Sequence, residues 1–355
     1  MTKSLDQFKS AHAPDQEVEY LRARVAELER IRHSEREATG EAREIIFALS
    51  QAVEKAKPVA MQYKPQKTSS TPITQVLHLT DLHYGEVIAK DEIEGINEFS
   101  PEVAVSRLQL LCDKVLDKVK TQRAGYNVPH LHILGTADYI SGDIHHELQV
   151  TNAFPCPQQA VECGYAIGAL VATLASHYST VTVDMITLDN HGRLTQKNQA
   201  AQGGLNNWGY VVAQVVQQHV RNISNVKTNI HARASAIVPI GAERYLLFHG
   251  HQIKGWAGLP YYGFDRRVAL EAVKRMGFPE LHFTKLVCGH FHVSVDSDHW
   301  MIGGSLSGTN AFDHASGRHS QAHQTSWFVH PEHGQFDFTR WWLGPNREIS
   351  YRKDQ

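Results

Sequence analysis

Five short polar clusters punctuate the chain: Thr80-Asp81-Leu82-His83, Ala137-Asp138, Asn190-His191-Gly192-Arg193, His249-Gly250-His251 and Gly289-His290-Phe291-His292. Carboxylate, carboxamide and imidazole together suit mid-series divalent cations such as manganese, iron or zinc. No cysteine stands in any cluster. A structural zinc site, which normally closes with thiolates, is therefore disfavoured against a hydrolytic centre that keeps positions open for water and substrate. The 23 histidines of the chain invite the same reading, although a histidine taken singly is weak evidence for a metal.

The clusters need elements to carry them, and each follows an apolar run that reads as a buried strand: Gln75 to Leu79, His130 to Leu134, Val181 to Leu188, Arg244 to His249 and Lys285 to Cys288. Helical stretches alternate with these runs at Val103 to Lys120, Gln158 to Ser176, Asn207 to Arg221 and Asp265 to Met276, so the class is a layered α/β domain. Ligand sites in such sheets form beyond the carboxyl ends of strands, where the five clusters can converge. In an extended segment, residues two apart face the same way, so Asp81 with His83 and His290 with His292 would each offer two ligands to one site.

Upstream, Gln16 to Lys57 has no proline and is dense in Glu, Arg, Ala and Leu, which predicts a helical arm over 1–57. Val18, Leu21, Val25 and Leu28 keep heptad spacing, Arg32 and Glu35 interrupt it, and Ala42, Ile46, Leu49 and Val53 resume. Such a helix is either a short coiled coil, serving as a homo-oligomer contact or docking arm, or a solvated helix resting on its own domain. A Pro- and Ser/Thr-containing linker follows at 58–72, then the main domain at 73–345 and a tail at 346–355. The net charge of −2 excludes a wholly basic nucleic-acid-binding surface but leaves room for a local basic groove. Four cysteines without a CxxC pair, an N-terminus without a signal-type apolar core and no run of ~20 apolar residues predict a cytoplasmic protein with no membrane partner.

The order DxH, D, NH, H, GHxH resembles the calcineurin-like metallophosphoesterase family over roughly Val76 to Phe338. The resemblance implies a four-layer α/β/β/α sandwich holding two divalent ions, manganese foremost with iron, zinc or nickel as alternatives. By the same resemblance Asp81, His83 and His292 ligate the first ion, Asp138 bridges, and Asn190, His249 and His290 ligate the second. His191 would face the substrate phosphate as the catalytic histidine, stabilising charge or protonating the leaving oxygen. A water activated between the ions would attack phosphorus in line. Arg193 would either clamp a phosphate oxygen or serve a structural or surface role. Asp143, His145 and His146 would either orient ligands or face solvent.

Two family glycines are replaced, by Ala137 before the bridging carboxylate and by Asp189 before the asparagine. Glycine marks tight turns and close approaches, so an impaired binding or assembly module competes with the enzyme reading. Asp189 is expected to tolerate a positive φ in the vanished glycine's place. The segment Trp256 to Arg267 reads as a packed loop in preference to a stacking lid, Gly303 to Leu306 as a strand returning beside the site, and the histidines from His314 to His330 as mostly structural. The strings SGDIHHEL and NHGR look like phosphoesterases of bacteriophage and prophage genomes, which favours a phosphodiesterase or nuclease acting on DNA. A phosphomonoesterase acting on a nucleotide or phosphoprotein is the alternative.

Overall fold

Strand β1 (Pro72–Leu79) runs between two hydrogen-bonded neighbours, which is why nearly all of it is buried. Parallel to it follow β2 (Asn127–Gly135), β3 (Thr180–Ile186) and β4 (Val226–His231). On its other side, β10 (His323–His330) and β11 (Gly334–Trp342) add antiparallel, giving the order β11-β10-β1-β2-β3-β4. Parallel neighbours require crossovers, supplied by the helices α1 (Pro101–Gln122), α3 (Cys156–Ala175) and α4 (Trp208–Val220). A short helix, α2 (His146–Thr151), precedes α3. The Ser100 hydroxyl caps α1 by accepting from the Val103 N–H at 3.3 Å, and Pro101 sits in the first turn, where its missing N–H costs nothing. Ala104, Leu108, Leu111, Val115 and Val119 then form its buried stripe.

A second sheet has the order β5-β6-β7-β9-β8, with β5 (Ala236–Ile240), β6 (Glu243–Leu247), β7 (Lys285–Cys288), β8 (Val295–Asp296) and β9 (Trp300–Ile302). Its alternation defines the layers. Tyr245, Leu247, Val287 and Met301 join the core that contains Trp327 of the first sheet, and the Trp327 indole N–H donates to the Tyr245 hydroxyl at 2.9 Å. Leu246, Phe248, Leu286 and Trp300 face the other way and pack on Phe264 of α5 (Tyr261–Arg275). Two facing sheets with helices outside make the α/β/β/α sandwich that the family resemblance implies.

The computed structural model describes residues 71–344 apart from 145, 196, 198–200, 255–258, 316 and 318, and in the N-terminal stretch positions 19, 22–24, 26, 27, 29 and 30. Those N-terminal positions are helical and exposed. The heptad seam, almost all of the linker and the tail lie outside the described residues. The chain divides into Met1–Pro58 and Val59–Gln355 as compact units. Among the described residues no helix is long and apolar enough to cross a membrane, and all four cysteines are buried thiols.

Three expectations need correction. The returning strand is Trp300–Ile302, and Gly303 to Leu306 form the loop after it, where Ser305 Oγ and Leu306 N both donate to the Asp81 carbonyl. Tyr261 to Arg267 open a helix, because Phe264 stacks on Trp300 at 4.5 Å and draws this stretch onto the sheet; residues 255–258 lie outside the description. β4, β8, β10 and β11 were not anticipated, since polar residues interrupt any apolar run in them, and neither was β5, whose apolar run is broken by Pro239. His323 fulfils the structural expectation, bonding Ser294 and the Gln321 carbonyl.

Candidate metal centre

All five clusters meet beyond the strand ends. The path to that convergence is not the alternation of an extended strand. β1 stops at Leu79 and β7 at Cys288, and the ligand positions beyond them are left-handed: φ is +51° at Asp81, +46° at His83, +46° at Asp138, +73° at His290 and +59° at His292. Left-handed backbone costs a side-chain-bearing residue roughly 1–2 kcal/mol, so such a concentration is strain kept where side chains must converge. Backbone bonds between the loops hold it in place. Asp81 N donates to the Ala137 carbonyl and His83 N to the Asp138 carbonyl, both at 3.1 Å, zipping the first two clusters together. His290 N donates to the Asp81 carboxylate at 2.9 Å, tying in the last.

Donor atoms gather in three overlapping groups: Asp81, His83 and His292; His83, Asp138 and His191; and Asp138, His249 and His290, each with its atoms within 4.8 Å of one another. Asp138 belongs to the second and third groups and His83 to the first and second. Asn190 Oδ1 lies 3.0 Å from His249 Nε2, so the predicted amide ligand stands beside the third group. Asp81, His83, Asp138 and His249 form a buried floor, while His191, His290 and His292 are half-buried at the mouth.

Electrostatics and tautomers favour cations here. His249 Nδ1 faces the Thr136 carbonyl at 2.9 Å; donation there leaves Nε2 turned toward Asp138, 3.0 Å away. His83 Nε2 and His292 Nε2 lie 3.0 Å apart, a distance at which two imidazole lone pairs repel unless a proton or a metal ion lies between them. Burial opposes charge on His249, but the Asp138 charge and hydrogen bond overcome it and raise its pKa to about 10. His292 is similarly raised to about 9 against burial, by Asp313 and Asp81. Burial and the neighbouring imidazoles hold His83 and His290 well below the usual histidine range. A metal-free site thus retains protons where the carboxylates call for positive charge, and the oxygen and nitrogen donor set fits divalent ions.

His191 stands apart from the floor. Its Nδ1 lies 2.7 Å from the Ser141 carbonyl, and its Nε2 points inward, 3.9 Å from Asp138. The two replaced glycines turn out differently from each other. Ala137 does adopt the left-handed conformation, at φ +74°, so its methyl is tolerated under strain. Asp189 does not adopt a positive φ, contrary to expectation. Its buried carboxylate accepts from Asp138 N at 2.9 Å, Gly192 N at 2.7 Å and Asn207 Nδ2 at 3.0 Å, coupling the bridging position to the N-terminus of α4.

Arg193 is anchored by donating Nη1 to the Asn190 carbonyl at 2.7 Å and Nε to the Thr195 carbonyl at 3.0 Å. Asp143 and His146 are exposed and His145 lies outside the description; the groups that orient the site's imidazoles are instead Thr136, Ser141 and Asp313, whose carboxylate lies 3.2 Å from His292 Nδ1. Asp313 escaped sequence reading because nothing in its spacing marks it, and Asp189 reads there only as a replaced glycine, with no sign of the donors it binds.

No family model and no curated protein matches the chain. Solved structures similar to it include wild-type Vps29 complexed with zinc from Entamoeba histolytica, at 12% identity, covering 76% of this chain and 99% of that one with a TM-score of 0.27. Vacuolar Protein Sorting 29 from Cryptosporidium parvum matches at 12% identity over 76% and 98% of the two chains, with a TM-score of 0.32. A predicted phosphoesterase from Streptococcus pneumoniae matches at 9% identity over 50% and 90%, with a TM-score of 0.25. At such values none of them decides the chemistry, which rests on the geometry of this site.

Proposed function

We propose that the protein is a metal-dependent phosphoesterase of the calcineurin-like type, with nucleic-acid phosphodiesters as its substrate class. The observation that carries this reading is the run of three overlapping donor groups, linked through His83 and Asp138, in which the half-buried His191 imidazole lies 3.9 Å from Asp138. Asp81, His83 and His292 would hold one divalent ion and Asn190, His249 and His290 the other, with Asp138 between them. Bound there, such ions supply Lewis acidity and lower the pKa of water near neutrality. His191, oriented by the Ser141 carbonyl, is placed to hydrogen-bond a phosphoryl oxygen and, as imidazolium, to give a proton to the leaving oxygen. Thr136 and Asp313 fix the ring orientation of His249 and His292.

Hydrolysis of bis(p-nitrophenyl) phosphate and p-nitrophenyl phosphate with added manganese tests the reading, alongside Asp138→Asn and His191→Ala. Activity on the diester that falls by about 100-fold or more in both variants is the expected result. Preference for the monoester would move the substrate class to phosphomonoesters. A chain that folds and binds no divalent ion would overturn the enzyme reading in favour of an assembly module.

A further inference from the structure

Beside the metal-ligand clusters lies a cavity of about 520 Å³ that the hydrolytic chemistry leaves unused. Its walls are tied to the centre by backbone. On one side Ala153 N donates to the Gly85 carbonyl at 2.9 Å, which places Phe154 against Tyr84, immediately after His83. On the other, Trp208 N donates to the Gly192 carbonyl at 2.7 Å, next to His191. Between them Gly142, at φ +70°, passes so close to the His191 carbonyl that a Cβ there would lie 2.0 Å from it. The lining combines the rings of Phe154 and Trp208, the apolar Leu194, the Asp143 carboxylate, the Gln149 amide and Arg193.

We propose that this cavity seats the nucleoside flanking the scissile phosphate, which deepens, and rests on, the phosphoesterase reading. Planar heteroaromatic bases are held by aromatic faces, and every base offers one. A carboxylate and a carboxamide at the rim supply both acceptors and a donor for a base edge, which a plain phenol ring would leave without partners. Arg193 gives Nε and Nη1 to backbone carbonyls, and among the described residues its Nη2 edge makes no hydrogen bond, which suits it to a sugar or phosphate oxygen. The volume lies in the range that encloses a small organic ligand and is far too small for duplex, so the occupant is a single unpaired nucleoside.

The test is calorimetric binding of adenosine 5′-monophosphate and of ribose 5-phosphate to the full chain, without metal and again with manganese. The base is expected to strengthen binding by about tenfold or more. Leu194→Trp, which fills the cavity from an exposed position, and Trp208→Leu, which removes a ring, should each abolish that difference while manganese binding and circular dichroism stay unchanged. Equal affinity for the two probes, or a difference that survives in both variants, would overturn the proposal. A base preference in a protein that hydrolyses no ester would leave the cavity assignment standing and remove the enzyme reading. Ester hydrolysis without any base preference would do the reverse.

Discussion

Replacing Asp189 with glycine, the residue the calcineurin-like pattern places there, should weaken this protein. The Asp189 carboxylate accepts three hydrogen bonds, from Asp138 N, Gly192 N and Asn207 Nδ2, at 2.7–3.0 Å. Hydrogen bonds to a charged group contribute roughly 1.5–3 kcal/mol each, and their loss leaves buried donors without a partner. Against this stands the cost of ionising a buried carboxylate beside Asp138. Burial first, and the Asp138 charge second, raise the Asp189 pKa to about 6 even against the hydrogen bonds from Asn207 and Gly192, so part of the gain is offset. The net expected loss for Asp189→Gly is about 3 kcal/mol, read as a fall of roughly 6–12 °C in the thermal midpoint of the metal-free protein. Glycine brings no backbone relief, because φ at this position is not left-handed. Manganese affinity should fall about 10–100-fold as well, since the Asp138 backbone loses its anchor. An Asp189→Gly protein as stable as the parent, with unchanged manganese affinity, would refute the reasoning. Ala137→Gly is the control: relief of φ +74° is nearly balanced by the lost methyl and the freer unfolded chain, so stability should move by less than about 1 kcal/mol.

Gly142→Ala should destabilise the fold by more than about 2 kcal/mol, through left-handed strain and the collision with the His191 carbonyl, seen as a lowered denaturation midpoint. Metal-free protein should be progressively less stable as pH rises through about 9 to 10. The raised pKa values of His292 and His249 mean that the folded state binds those protons more tightly, a contribution complete below the ordinary histidine value of 6.5 and lost above the folded values. Excess manganese should flatten that slope in thermal scans, and its uptake at neutral pH should release protons, measurable as buffer-dependent heats. Asp313→Asn should weaken manganese binding by about 10-fold or more while the fold survives, because His292 loses a carboxylate that both orients its ring and favours positive charge on it.

The sequence by itself determined which side chains could do chemistry and roughly where they stand. Apolar runs bounded by polar clusters are visible one residue at a time, since burial on both faces of a parallel strand demands continuous hydrophobicity. Hence β1, β2, β3, β6 and β7 and the helices between them were legible, while β10, with Gln324, Thr325 and Ser326 buried inside it, was not. The grouping of Asp81, His83 and His292 against Asp138, His249 and His290 was likewise expected, through the family pattern. Tertiary structure decided how they meet. Left-handed backbone at five candidate ligand positions depends on bonds between loops more than 50 residues apart, such as His83 N to the Asp138 carbonyl, and no local pattern encodes a partner that distant. The same holds for Asp189: its charge reads from the sequence as an intrusion beside the site, and only the approach of Asp138, Gly192 and Asn207 to its two oxygens turns it into an anchor.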